Sequence, residues 1–128
     1  MTKQEIFNRV CEHAMTQKGK CMNGISCSYR EGYDASNPVR CFAGIFIPDE
    51  RYAKTLEGGT CVSSDYTGYV DAGNIPIRTM FEQLVGEENI DFLRSMQLVH
   101  DQYEVEDWPC KLREIGEAQH LAIPDCIF

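Results

Sequence analysis

The sequence predicts a mostly α-helical fold, either all-α or α+β, in which about four helices form one compact bundle. Length, composition and the helical spacing of apolar residues in four stretches all point to this class. The chain has 128 residues, of which 43% are hydrophobic and 25% are charged. Residues 1–128 are therefore predicted to form a single domain, and residues 26–30 and 39–47 leave room for a small β-hairpin in its first half.

The first helix is predicted over residues 3–17. Thr2 and Glu5 have the three-residue spacing of a capping box, in which each side chain bonds the backbone N–H of the other residue. The apolar residues that follow recur on one helical face: Ile6, Phe7, Val10, Cys11 and Ala14.

A nearly continuous apolar run covers residues 39–47, and we expect it at the centre of the core. Periodicity does not decide between a buried strand and a buried helical turn, although the β-branched and aromatic content favours a strand. Pro48, followed by two acids, is typical of the first turn of a helix. A short helix of about two turns is therefore predicted next, ending at residues 58–59, which are both glycine.

Three further helices are predicted in the second half of the chain. The first begins at Asn74 as its N-cap and ends at Gly86. The second begins at residues 87–88, where two glutamates complement the helix dipole. The last begins at Asp107 as its cap and is stopped by Pro124.

The formal net charge is −8, and it is unevenly distributed along the chain. Residues 1–64 carry eight basic and seven acidic side chains, whereas residues 65–128 carry four basic and thirteen acidic ones. Such an acidic half repels a phosphate backbone, which argues against direct nucleic-acid binding, and attracts a basic protein surface. The simpler alternative is an acidic surface that keeps the protein in solution. The candidate binding residues are Glu87, Glu88, Asp91, Glu104, Glu106 and Asp107.

Seven cysteines are many for this length, and their odd number excludes complete disulfide pairing within one chain. The N-terminal residues lack the apolar segment of a signal peptide, and no apolar run approaches the roughly 20 residues of a membrane span. We therefore expect a cytoplasmic protein with reduced thiols and no membrane contact. Because no Cys-x-x-Cys pair occurs, neither a metal nor a cofactor is predicted. A structural zinc stays an open alternative on Cys21, Cys27, Cys41 and Cys61.

A cysteine-dependent hydrolase is another alternative, because a thiol becomes a nucleophile when an imidazole lies beside it. The candidate pair is Cys41 and His100, with Asp101 or Glu104 to orient the imidazole. Adjacent helical residues point to different faces, which argues against Asp101 in that role. His100 also falls near the apolar stripe of its helix, as a hydrogen-bonded core histidine does. The sequence thus favours a protein that is not an enzyme.

Three arginines flank the central apolar run, namely Arg30, Arg40 and Arg51. A guanidinium group offers a forked donor for phosphate, so these residues, with Tyr52, are candidates for binding an anionic ligand such as a nucleotide signal. Arginines that are solvated or paired with acids are the simpler interpretation.

Five segments of the sequence form a recognisable pattern: residues 27–30 (CSYR), 41–52 (CFAGIFIPDERY), 57–58 (EG), 97–101 (QLVHD) and Trp108. This pattern resembles a family of short uncharacterised proteins of tailed phages and prophages, over about half of the chain. The resemblance implies expression inside a bacterial cell, and it assigns no functional residues.

The leading functional expectation combines this context with the charge. Small accessory proteins of phages often act by binding a host protein, and blocking a nucleic-acid-handling defence complex is a common task. An acidic face can compete with nucleic acid for a basic groove. We therefore expect a host-binding protein, with a nucleotide-sequestering protein and a hydrolase as alternatives. A homodimer is an open alternative for its assembly.

Overall fold

A computed structural model describes residues 1–17, 20–23, 26–27, 29–31, 39–58 and 68–127. It confirms the mostly helical fold: four α-helices, short 3₁₀ helices and four two-residue strands make up the described part. The helices are α1 (Lys3–Gln17), α2 (Ile77–Val85), α3 (Ile90–Gln102) and α4 (Trp108–Ala118). The strands are β1 (Met22–Asn23), β2 (Ser26–Cys27), β3 (Arg30–Glu31) and β4 (Val39–Arg40).

Helix α1 has the predicted bounds and the predicted cap. The Glu5 N–H donates to Thr2 Oγ1 at 3.1 Å, and the Thr2 N–H donates to Glu5 Oε1 at 3.4 Å. All five apolar residues of its predicted face are buried. α1 packs against α3 and α4, and α3 and α4 pack against each other. The predicted bundle therefore forms around a single hydrophobic core.

The apolar run at residues 39–47 contains both of the alternatives that periodicity left open. It begins as strand β4 and continues as a 3₁₀ helix at Gly44–Phe46. β4 pairs antiparallel with β3, so a hairpin joins the two predicted segments through two residue pairs, and β1 pairs with β2 in a second short hairpin. The predicted central position is confirmed, because Cys41, Phe42 and Ala43 are at most 1% exposed. Phe42 packs edge-on against the Trp108 ring, with 4.8 Å between the ring centroids.

The two-turn α-helix predicted after Pro48 is wrong. The chain makes a single turn, in which the Tyr52 N–H donates to the Pro48 carbonyl at 3.1 Å, and a 3₁₀ helix follows at Lys54–Leu56. Between them Ala53 is extended, with φ −147° and ψ 153°. Burial of Leu56 and hydrogen bonds to the side chain of Glu57 compete with a continuous helix and prevail. Residue 59, the second predicted stop, lies outside the described residues.

Two helix boundaries also differ from the prediction. Asn74 is not an N-cap: it has φ 62°, and α2 begins three residues later, after Pro76. Asp71 organises this loop instead, because its Oδ1 accepts the backbone N–H groups of residues 73 and 75 at 2.8 and 2.9 Å. α4 ends at Ala118, ahead of the predicted stop at Pro124, because His120 adopts φ 58° and reverses the chain. The predicted end of α2 at Gly86, with φ 98°, is confirmed.

The four α-helices of the described part have 9 to 15 residues each. None of them is long and apolar enough to cross a membrane.

Candidate functional site

The six candidate acids lie at the two ends of α3. The N-terminal acidic group consists of Glu87, Glu88 and Asp91, on the 3₁₀ helix before α3 and on its first turn. The C-terminal acidic group consists of Glu104, Glu106 and Asp107, between α3 and α4. Because α3 has 13 residues, about 20 Å of helix separates the two groups. The structure therefore places the candidate acids at two positions on the surface.

All six acids are exposed. None of them forms an ion pair with a basic side chain in the described part of the chain. On α2 and α4, in contrast, Glu82 lies 3.7 Å from Arg78 and Glu114 lies 3.6 Å from Lys111. The two acidic groups therefore carry charge that the described basic side chains do not compensate by direct contact.

The arginine candidates separate into two environments. Arg30 and Arg40 meet, because the Nη2 atoms of both donate to Asp49 Oδ1, at 2.9 and 3.4 Å. Arg51 bonds other partners: its Nε lies 2.9 Å from Asp71 Oδ2, and its Nη2 donates to Gln83 Oε1 at 2.7 Å. The Arg51–Asp71 pair fastens the loop before α2.

Tyr52 and Glu57 complete the cluster around Arg30. The Arg30 guanidinium lies over the Tyr52 ring, 4.4 Å from its centroid, and the Tyr52 hydroxyl donates to Glu57 Oε2 at 2.5 Å. Burial and this bond raise the pKa of Tyr52, so the hydroxyl stays protonated. Glu57 also accepts the backbone N–H groups of Tyr29 and Arg30, at 2.8 and 3.2 Å. Five residues define the Arg30 cluster: Arg30, Arg40, Asp49, Tyr52 and Glu57.

The proposed hydrolase pair consists of two buried groups. Cys41 and His100 are both 0% exposed. His100 Nε2 accepts the backbone N–H of Cys21 at 3.1 Å, and Cys41 Sγ accepts the N–H of Gly44 at 3.3 Å. Because Nε2 is an acceptor, the proton of the neutral imidazole lies on Nδ1, and the lone pair that a general base would use is occupied. This geometry favours a structural histidine.

The expectation that Asp101 points away from His100 is wrong. His100 Nδ1 lies 2.9 Å from Asp101 Oδ1, because both groups lie at the C-terminal end of α3 and turn toward each other. Gln97 connects this pair to the central run: its Nε2 donates to Asp101 Oδ1 at 2.9 Å, and its Oε1 accepts the Ala43 N–H at 2.8 Å. The polar chain therefore fastens α3 to residues 41–44.

The cysteines give no metal site in the described residues, where no group of three or more His, Cys, Asp or Glu side chains is placed to hold an ion. Five cysteines of the described part form no disulfide bond: Cys11, Cys21, Cys41, Cys110 and Cys126. Cys11 is buried in the core, and this burial raises the pKa of its thiol to about 12. The thiol therefore stays protonated, as in an unreactive structural cysteine. Cys61 and the side chain of Cys27, which the zinc alternative requires, lie outside the described part.

Sequence reasoning missed the carboxylates that hold the first half together. Glu57 and Asp71 each accept three hydrogen bonds. Some of the donors are distant in sequence, and the others lie in the same turn as the carboxylate. Asp71, two residues before a glycine and three before an asparagine, has a signal for an Asx turn. Glu57 has no such local signal, because its partners lie up to 28 residues away.

Several residues of the five-segment sequence pattern lie together. Tyr29, Arg30, Asp49, Tyr52 and Glu57 contact one another through the bonds described above. The pattern therefore includes residues with defined structural contacts in this chain. No protein-family model, curated protein or solved structure matches the chain.

Proposed function

We propose that this protein is a small acidic accessory protein of phage type that acts by binding a basic surface of a host protein in the bacterial cytoplasm. The proposal rests on one observation: all six candidate acids are exposed, and none of them forms an ion pair with a basic side chain among the described residues. The phage context comes from the sequence pattern. The partner class we favour is a defence complex with a basic groove for nucleic acid.

The mechanism follows from where the charge lies. Carboxylates at both ends of α3 present negative charge at two points about 20 Å apart on the same helix. A basic groove that holds a nucleic-acid backbone attracts such charge, which steers the encounter and competes with phosphates for the same lysines and arginines. Because the acids are exposed, the attraction weakens as the Debye length shortens with added salt.

A pull-down from bacterial lysate tests the proposal. The tagged protein is compared with two variants, Glu87→Gln/Glu88→Gln/Asp91→Asn and Glu104→Gln/Glu106→Gln/Asp107→Asn. We expect a stoichiometric host protein with the unmodified chain, at least tenfold less of it with either variant, and its loss as salt is raised from 0.1 to 0.5 M.

A matched control neutralises three exposed acids elsewhere, Glu12→Gln/Glu50→Gln/Asp125→Asn, which changes the net charge by the same amount. This control is expected to retain the partner. If all three variants retained it equally, or if no partner were captured, the proposal would be wrong. Competition with a DNA oligonucleotide for the purified partner then tests the inhibitory step.

A further inference from the structure

A second feature of the structure, separate from the six acids, is the meeting of two guanidinium groups at one oxygen atom. Arg30 Nη2 and Arg40 Nη2 both point at Asp49 Oδ1, at 2.9 and 3.4 Å. Strand pairing brings this about, because β3 and β4 place Arg30 directly opposite Arg40 in their register. Two donors that converge on one oxygen are the arrangement by which proteins bind phosphate and carboxylate groups.

The Arg30 side chain and the Arg40 backbone are both held in place by other parts of the chain. The Arg30 side chain is 5% exposed, and its Nη2 also donates to the Ile47 carbonyl at 2.8 Å, while Tyr52 covers one face of the guanidinium. The backbone of Arg40 is held by α1, because Gln17 bonds both its N–H and its carbonyl, at 3.0 and 2.8 Å. The Arg30 donors therefore lose little further side-chain freedom on binding.

Asp49, in contrast, is held on one side only. Its side chain is 81% exposed, and the Arg40 contact at 3.4 Å is long for a charged hydrogen bond. Within the described residues, Arg40 Nε is buried and has no hydrogen-bond partner. Asp49 therefore leaves donor capacity at Arg40 unused, and nothing but the two arginines holds its carboxylate in place in the described part.

We propose that Arg30 and Arg40 form a binding site for a small oxyanion, best fitted by a phosphate group, which replaces the Asp49 carboxylate. Phosphate offers more oxygen atoms than the single one that Asp49 supplies, so it can bond Nη2 of both arginines and reach Arg40 Nε. The exchange is balanced in charge, because the buried Arg30 keeps an anionic partner while Asp49 rotates into solvent. No bond is made or broken other than hydrogen bonds.

The test compares Asp49→Ala with the unmodified chain in inorganic phosphate, at constant ionic strength set with sodium chloride. Without phosphate, the Tm of the variant falls, because the Arg30 guanidinium loses its ion pair with Asp49. Phosphate restores the Tm of the variant, as a ligand of the native state must. In a ³¹P NMR titration, we expect phosphate to bind the variant at least tenfold more tightly than the unmodified chain.

Two controls make the result specific. Glu50→Ala removes the adjacent exposed acid, which contacts neither arginine, and is expected to change phosphate affinity less than threefold. Adding Arg40→Gln to Asp49→Ala is expected to abolish the gain. If Asp49→Ala does not fold, Asp49→Asn, which keeps an acceptor for Arg30, is expected to show a smaller gain of the same sign.

Acetate in a parallel titration separates the two oxyanion classes. Tighter binding of phosphate than of acetate supports the phosphate assignment, whereas tighter binding of acetate overturns it in favour of a carboxylate ligand. The proposal as a whole is overturned if phosphate affects Asp49→Ala no more than chloride does at equal ionic strength. Because the site uses none of the six acids, these outcomes are independent of the lysate experiment.

Discussion

Within the Arg30 cluster the charged side chains bond one another, whereas the two acidic groups at the ends of α3 face solvent. Arg30 and Glu57 each make several bonds within the Arg30 cluster, and Arg30 is buried. The elements around this cluster are turns, three-residue 3₁₀ helices and two-residue strands, which are too short to be stable alone. On α3 and α4 the helices make their own backbone bonds. The comparison teaches that the Arg30 cluster uses charge to hold its shape, whereas the two acidic groups carry charge that no described basic side chain contacts.

The largest expected effect comes from Gly44→Ala. A Cβ at this position would lie 2.2 Å from the backbone oxygen of Tyr29, which β3 pairing holds in place. We expect the free energy of unfolding to fall by more than about 3 kcal/mol, as measured by urea denaturation.

Gly116→Ala in α4 is the matched comparison. Its Cβ would lie 2.6 Å from the end of the Phe7 ring and 2.7 Å from Ile123 Cδ1, both of which are side-chain atoms. Side chains can move, so the loss should be about 1 to 3 kcal/mol. An equal or smaller loss for Gly44→Ala would contradict the expectation that the backbone at Tyr29 yields less readily than the side chains around Gly116.

Glu57→Gln is expected to be the next largest change. The Glu57 carboxylate accepts three hydrogen bonds. In glutamine the NH₂ group replaces one of the accepting oxygens, so at least one of these bonds is lost. We expect a loss of about 2 to 3 kcal/mol in the same denaturation experiment. Glu88→Gln, on the exposed N-terminal acidic group, serves as the control and should change stability by less than about 0.5 kcal/mol. Similar losses of stability for Glu57→Gln and Glu88→Gln would contradict the contrast between the bonded Arg30 cluster and the exposed acidic groups.

Asp71 makes the stability of the loop before α2 depend on pH. Burial raises the pKa of this carboxyl, but hydrogen bonds from Ile75, Arg51 and Gly73 outweigh burial and lower it below the ordinary 3.8. A lowered pKa in the folded state means that the stabilisation is complete above about pH 4 and is lost as the pH falls below that value.

The stability difference between the unmodified chain and Asp71→Asn is therefore expected to be about 2 kcal/mol at pH 7. It should shrink steadily as the pH is lowered from 4 to 2, as followed by urea denaturation at each pH. A difference for Asp71→Asn that stayed constant with pH would argue against the charged form as the stabilising species.

The smallest expected effect is that of neutralising all six acids at once. Their loss weakens favourable interactions with the N-terminal ends of α3 and α4 and relieves repulsion among like charges, so the terms oppose each other. We expect the free energy of unfolding to change by less than about 1 kcal/mol. A larger loss, seen in thermal or urea denaturation, would show that these acids stabilise the fold and would weaken their assignment to a partner.

The α-helices could be predicted from the sequence because the signals for them are local. Apolar spacing located all four helices, and the Thr2–Glu5 cap and Gly86 fixed two of their ends. The boundaries predicted at Asn74 and Pro124 were wrong because other residues shape the chain there. The Asp71 side chain bonds the backbone of the loop before α2, and His120 reverses the chain after α4. The orientation of Asp101 was wrong because a general rule about helix faces holds less well in a final turn.

By itself, the sequence determined the fold class, the bounds of α1 and the accumulation of acids around α3, because each depends on neighbours within a few residues. Only the tertiary structure decided that Arg30 and Arg40 meet at Asp49, and that Arg51 joins Asp71 instead. Those pairings join residues 9 to 20 positions apart. Strand register and turn geometry create them, and neither is encoded in a repeating pattern of residue types.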